Sequence, residues 1–302
     1  MRIIENPQTE NVLIKEIIKK HGHTPDHNFD WLMYCADEGK PKIAIFEEKY
    51  LIWCFVNEQE WIIYTDPIAP VEIHQKLINE LINYLISENN NKILFLDVRE
   101  HINNFYKEKY SKNYLLDYEL VWPILNMENF DLLLPGGHFK SIRNAKNKFF
   151  KENKVEIAPA LSIDKNDLHK IVDRWQKHRL EAGIKEIFPN RYHKMIDNNF
   201  LGVKSARVMA VNKKNVGFNA GWETPNVAGD FSAAVGIHDF SIKDLGLILL
   251  LEDLEWIKKA GYKTCDLEGS ENTALKFKTQ FLPEKKYETY TFYLDNISSK
   301  GS

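Results

Sequence analysis

The residues best suited to chemistry in this 302-residue chain lie in its last third. Lys278 stands directly after Phe277 in the run LEGSENTALKFKTQFLP, residues 267 to 283. Three carboxylates, Glu223, Asp230 and Glu268, fall at or near the ends of apolar runs, and Asp266 alternates with Glu268 so that both can share one strand face. A carboxylate can take a proton from an attacking group, and an ammonium can stabilise a developing oxyanion or protonate a leaving group. A covalent route has less support. No G-x-S-x-G turn and no Ser-His-Asp set can be read, and Cys265 sits in mid-strand among apolar residues, as core thiols do. From the residues alone, Lys278 is equally readable as a solvated helix lysine, and each acid as a surface carboxylate.

Two further stretches could meet anions. In Ile242–Ile248, IKDLGLI, Lys243 and Gly246 are spaced K-x-x-G ahead of a long apolar helix, a one-glycine version of an anion loop at a helix N-terminus. The segment Gly136–Lys154 holds six Lys/Arg against one Glu, with Lys140, Arg143 and Lys146 on a predicted helix. Before Asn129 the chain has 13 Lys/Arg and 21 Asp/Glu, whereas the remainder has 27 and 22. Such lopsidedness suggests an anionic partner, a nucleic-acid backbone among them. The overall balance of −3 and a pI near 6.4 weigh against a general nucleic-acid binder. The loop His21-Gly22-His23-Thr24-Pro25-Asp26-His27 fits no standard metal-ligand spacing, and Pro25 marks it as irregular, so no metal site is expected.

These residues need elements to position them. A buried strand over 262–267, a helix ending at Phe281 and an alternating strand over 287–294 frame Lys278, with Ser270-Glu271-Asn272 as the helix cap. A helix over 245–260 precedes them. Strands over 206–211, 216–222 and 228–235 form a meander. The basic helix, 138–153, should bury Phe139, Ile142, Ala145 and Phe149 and expose Lys140, Arg143 and Lys146. The first half reads as a helix over 11–20, strands at 43–46, 50–56 and 61–64, a helix over 71–87, a strand over 93–98, a helix over 101–109 and a strand over 114–125. An offset of 171 residues lays Leu94-Phe95-Leu96-Asp97 on Cys265-Asp266-Leu267-Glu268. A repeat of helix–strand–helix–strand implies two copies of one unit, 1–127 and 128–302.

The order helix–strand–helix–strand with a functional loop at a strand's C-terminal end resembles the closing half of a GNAT (N-acetyltransferase) fold. Phe277-Lys278, Phe281 and Pro283 match the FK…F-x-P/G signature of Fem-type aminoacyltransferases. The same stretch, together with a GG…R-N…K helix at Gly136-Gly137, Arg143-Asn144 and Lys146, resembles the catalytic C-terminal domain of phosphatidylglycerol lysyltransferases. The resemblance implies an α+β protein of tandem GNAT-like domains, each a mixed, mostly antiparallel sheet flanked by helices, with catalysis in the second.

It also implies acyl transfer, foremost aminoacyl transfer from aminoacyl-tRNA to an amine or hydroxyl acceptor. Lys278 would act as oxyanion or leaving-group partner and Asp230, Glu268 or Glu223 as base. Lys243, Gly246, Phe277, Asn272, Lys140, Arg143 and Lys146 would contact substrate. The acceptor would be a small molecule, a peptide or a lipid headgroup. No cofactor is required. The alternative is an acyl-CoA donor, acetyl-CoA included, but only K-x-x-G remains of the Q/R-x-x-G-x-G/A loop that CoA-dependent members use. A non-catalytic binding protein of the same fold is the third reading. Three scattered cysteines, no signal segment and no run near the ~20 apolar residues of a membrane helix point to a cytoplasmic protein without an integral membrane segment.

Overall fold

The strand Tyr50–Asn57 shows how sequence alternation sets the layers: Leu51, Trp53 and Phe55 enter one hydrophobic cluster and Ile52 and Cys54 another, on the opposite face. A computed structural model describes residues 1–36, 39–57, 60–184 and 187–297. The first half runs β1 (Arg2–Ile4), α1 (Asn11–His21), α2 (Phe29–Tyr34), β2 (Lys40–Phe46), β3 (Tyr50–Asn57), β4 (Glu60–Tyr64), α3 (His74–Ser87), β5 (Ile93–Arg99), α4 (Glu100–Lys109) and β6 (Tyr114–Asn126). The second runs α5 (Lys140–Glu152), β7 (Val155–Pro159), α6 (Lys165–Glu181), α7 (Pro189–Asp197), β8 (Ser205–Val211), β9 (Lys214–Glu223), β10 (Asp230–His238), α8 (Leu245–Lys259), β11 (Thr264–Asp266), α9 (Asn272–Thr279) and β12 (Lys285–Leu294).

All these strands join one mixed, mostly antiparallel sheet in the order β1-β2-β3-β4-β5-β12-β6-β11-β10-β9-β8-β7. The order reads alike from both edges. From one, β1 to β4 are antiparallel neighbours and β5 joins β4 in parallel. From the other, β7 to β10 are antiparallel and β11 joins β10 in parallel. In the middle, β12, last in the chain, pairs with β5, and β6 pairs with β11. The β6–β12 ladder, from Lys285 opposite Ile124 to Leu294 opposite Tyr114, fastens the halves together. His74 and Leu245, Ile93 and Thr264, and Tyr114 and Lys285 each start elements that stand 171 residues apart.

Three clusters fill the layers. One gathers α1, α2, α6 and α7 against strands of both halves, with Trp31 and Trp222 at 5.2 Å. The second holds α3 and α4 against the first half, around Phe95 stacked on Phe292 at 4.6 Å. The third holds α5 and α8 against the second half. Leu77, Ile78, Leu81, Ile82 and Leu85 of α3 all face the second cluster, the stripe that 3.6-residue periodicity demands. Full burial of a large apolar side chain contributes ~1.5–3 kcal/mol. Within the described residues no helix is long and apolar enough to cross a membrane.

The expected elements are present with small shifts at their ends. The strand expected over 262–267 is confined to Thr264–Asp266, and the helix expected to end at Phe281 ends at Thr279. Two short elements, β1 and α2, have no strong sequence signature.

Candidate active site

β10 and β11 run side by side for three residues only, Asp230–Ser232 against Thr264–Asp266. Past that point β10 stays on β9 to His238, through an irregularity between Ser232 and Val235. The chain after Asp266 leaves instead to bridge Val121 through Ser270. A cavity of about 220 Å³ opens where the strands part, walled by β10, by Gly246, Leu249 and Asp253 of α8, by Glu268, and by Phe277 and Lys278 of α9.

Glu268 sits at the mouth of this split with φ +67°, a left-handed conformation uncommon outside glycine. Asp266 holds it there: its Oδ1 accepts the Glu268 N–H at 2.8 Å. Asp97, the residue 171 positions earlier and within β5, has φ +57°. Such conformations cost on the order of 1–3 kcal/mol and persist only when neighbours enforce them.

The Lys278 ammonium donates to the Glu268 main-chain carbonyl at 3.0 Å. Burial lowers its pKa, while the charges of Glu268 and Asp266 push the other way. The Glu268 carboxylate accepts the Ser232 hydroxyl. Burial raises its pKa well above the usual range, helped by Asp266 and Asp26 and opposed by Ser232 and Lys278. Asp266 is buried as well and its pKa is pushed up to about 6, despite the Tyr287 hydroxyl that donates to its Oδ2 at 2.7 Å. The Tyr287 ring lies under the Arg99 guanidinium at 3.4 Å. On the far side of this acidic centre, Tyr64 donates to Asp26 at 2.8 Å, and burial raises the pKa of Asp26 too. Buried acids of raised proton affinity beside a cation of lowered affinity, in a cavity, mark a candidate functional site.

Sequence reasoning misses Asp26, Tyr64, Arg99 and Tyr287. They come from a loop, β4, β5 and β12, and only the order of strands in the sheet brings them to β11. Raised affinity at Asp266 and Glu268 has one sequence-visible sign, their alternation at a strand's end.

Of the other expected site residues, Gly246 and Phe277 join the cavity wall, and the rest lie elsewhere or do other work. Asp230 begins β10 outside the wall of this cavity, and its oxygens accept the Thr224 and Thr264 hydroxyls, each at 2.5 Å. Glu223 is exposed and accepts Tyr262 at 2.7 Å with Lys204 at 3.3 Å, contacts that hold its pKa below the usual value. The two share a shallow depression of their own with Tyr262. Lys243 is exposed, whereas Gly246 is in the cavity wall, where a Cβ would meet the His238 ring at 2.8 Å. Phe277 lines the cavity and packs edge-on against Phe281 at 5.8 Å. Asn272 is exposed at the start of α9. The cap expected from Ser270 does not form: its hydroxyl donates to the Gly269 carbonyl at 2.7 Å, and no side chain caps α9.

On α5, Ile142 and Phe149 are buried, Phe139 and Ala145 half-buried and Lys140 exposed. Arg143 is not a free cation. Its guanidinium donates to the carbonyls of Leu134 and Gly136 and so fastens the loop ahead of its own helix. Lys146 is half-buried beside Glu252.

None of the curated proteins matches the chain. Its fold is shared by L-PGS from Bacillus licheniformis, with TM-score 0.69 and 15% identity over 98% of this chain and 94% of that one. FemX aligns with TM-score 0.57 and 10% identity over 98% and 97%. A tandem GNAT protein from the clavulanic acid biosynthesis pathway aligns with TM-score 0.57 and 7% identity over 97% of each chain. Residues 19–231 match the family described as phosphatidylglycerol lysyltransferase, C-terminal, a stretch that includes Asp26, Tyr64 and Arg99 and stops before Glu268 and Lys278. Since that match spans well over half of the sequence, the chain belongs to the phosphatidylglycerol lysyltransferase C-terminal family.

Proposed function

We propose that the protein is an acyltransferase that moves an aminoacyl group from aminoacyl-tRNA to an amine or hydroxyl acceptor, using the cavity between β10 and β11. Family membership supports acyl transfer. The observation that carries the rest is the pairing of Glu268 and Lys278 at the strand split. Glu268, as carboxylate, takes a proton from the acceptor nucleophile. The freed lone pair attacks the ester carbonyl carbon, and the oxygen becomes an oxyanion facing the Lys278 ammonium. Collapse of that intermediate re-forms the carbonyl and breaks the bond to the ribose oxygen. That oxygen leaves with a proton from Lys278, whose lowered pKa suits it as an acid. The proton held by Glu268 then returns the lysine to its charged form.

The helix that would meet a CoA pyrophosphate favours this donor over an acyl-CoA. His238 lies flush against Gly246 beside the first turn of α8. Burial lowers its pKa to about 4, so at neutral pH it brings no positive charge to an anion there. We read the mirrored strand order and the 171-residue spacing as two copies of a GNAT-like unit, 1–127 and 128–302, with β6 and β12 exchanged and the reacting cavity in the second.

The test is turnover of radiolabelled aminoacyl-tRNA, charged with mixed amino acids, offered phosphatidylglycerol vesicles or a peptide amine. Label should pass to an acceptor, and Lys278→Met should slow transfer ~10²–10³-fold, the usual cost of one lost oxyanion partner. Release of CoA from acyl-CoAs, with charged tRNA untouched, would sink the reading.

A further inference from the structure

The first half has its own cluster of polar side chains, at the start of α3, none of which takes part in the transfer step proposed above. His23, Asp66 and His74 place one ligand-type atom each within 4.8 Å of the others. Hydrogen bonds fix which ring nitrogens are free. His23 Nδ1 lies 3.0 Å from the His21 carbonyl, which can only accept, so Nδ1 carries a proton and Nε2 is the nitrogen left for a metal ion. That Nε2 is buried and has no hydrogen-bond partner, and it stands 3.7 Å from Asp66 Oδ2. His74 Nε2 lies 3.0 Å from the Ala69 carbonyl, so its Nδ1 is the unprotonated one. At the edge of the cluster a further ring, His101, brings Nε2 to 3.1 Å from His74 Nδ1.

The surroundings brace these groups. The Arg99 N–H donates to Asp66 Oδ1 at 2.9 Å, leaving Oδ2 turned toward His23. His27 uses both its nitrogens: Nδ1 accepts the His23 N–H and Nε2–H donates to the Asp66 carbonyl, each at 3.0 Å. Imidazoles that give their remote N–H to backbone carbonyls, so that the other nitrogen faces a carboxylate, are the usual shell of a divalent transition ion. Bonds of ~2.0–2.1 Å put tetrahedral ligands about 3.4 Å apart, so contraction by up to about 1.4 Å from the present spacing would seat the ion.

We propose that His23, Asp66 and His74, with His101 as fourth ligand, form a binding site for a divalent transition ion, zinc foremost. Nitrogen and carboxylate donors select such an ion over magnesium or calcium. His23, Asp66 and His101 also line a cavity of about 590 Å³ together with Arg99, Lys286 and Tyr287, so the ion has a route in from solvent. Its ligands come from a loop, the bend after β4, the first residue of α3 and the first turn of α4, which is why spacing within residues 21–27 gives no sign of it.

The experiment uses the full chain without a histidine tag, stripped with a chelator and titrated first with Zn²⁺ by calorimetry and then with Co²⁺ by absorption. One equivalent of Zn²⁺ should bind with submicromolar affinity, and Co²⁺ should show the intense visible bands of a four-coordinate site without a thiolate band. His23→Ala and His101→Ala, both at half-buried positions, should each weaken binding at least tenfold while the circular dichroism spectrum is kept. Absence of saturable binding, equal binding by His23→Ala, or a thiolate band from one of the three cysteines would each overturn the assignment. Should His23→Ala fail to fold, His101→Ala decides.

Discussion

Asp266→Asn should make the protein more stable, and only above acid pH. The Asp266 carboxyl is buried, and its pKa is pushed from 3.8 up to about 6, chiefly by desolvation. A raised carboxylate pKa means the folded state holds the proton more tightly than the unfolded one. The associated stability is complete below pH 3.8 and is lost as pH climbs to about 6. A displacement of that size corresponds to ~3 kcal/mol. Asparagine keeps both contacts: its carbonyl can accept the Glu268 N–H and its amide can donate to the Tyr287 oxygen. With no charge to bury, it should recover most of that ~3 kcal/mol at pH 8, or about 5 °C in Tm for a chain of this size, and nothing near pH 3.5. Urea unfolding of both proteins across pH 3.5 to 8 measures the difference. Curves that stay parallel over the whole range would refute the claim that Asp266 is a destabilised carboxylate. The same substitution should slow aminoacyl transfer, because Glu268 without a neighbouring charge becomes a weaker base.

Phe292→Ala removes a fully buried ring stacked on Phe95 and should cost ~3–5 kcal/mol, with faster hydrogen exchange in β5, read by mass spectrometry. Reversing the exposed cations Lys140, Lys148 and Lys151 to Glu should weaken tRNA binding and flatten its salt dependence, read by filter binding in a salt series. Arg143→Glu should instead lower thermal stability, read by calorimetry, since it releases the carbonyls of Leu134 and Gly136.

The order of elements is largely legible in the sequence because apolar periodicity is local: the alternation of β3 and the stripe of α3 are written in consecutive residues. Lys278 and Glu268 are legible through a short run around one strand end. What cannot be read is which strands lie beside which. Nothing in the residues of β12 says that it pairs with β5 as well as β6, and that choice is what carries Tyr287 to Arg99 and Asp266. Asp230 and Glu223 are plausible at strand ends, but a strand end has a direction. Asp230 starts β10, and its carboxylate is spent on two threonines. The histidines of residues 21–27 show no ligand frame of their own because their partners are supplied by three distant segments.

The place of β12 in the sheet also governs how the chain can fold. β5 lacks one neighbour until Lys285–Leu294 arrives, and the cluster around Phe95 and Ile93 lacks Phe292 and Leu294. During synthesis the first half therefore waits, with an unpaired edge, for the last strand to be made. Such an edge invites pairing with other chains, and closing contacts across nearly two hundred residues is slow. A chain cut before Lys285 would lose β12 from the middle of the sheet rather than from its rim, so the two halves are expected to refold as one cooperative unit and not in sequence.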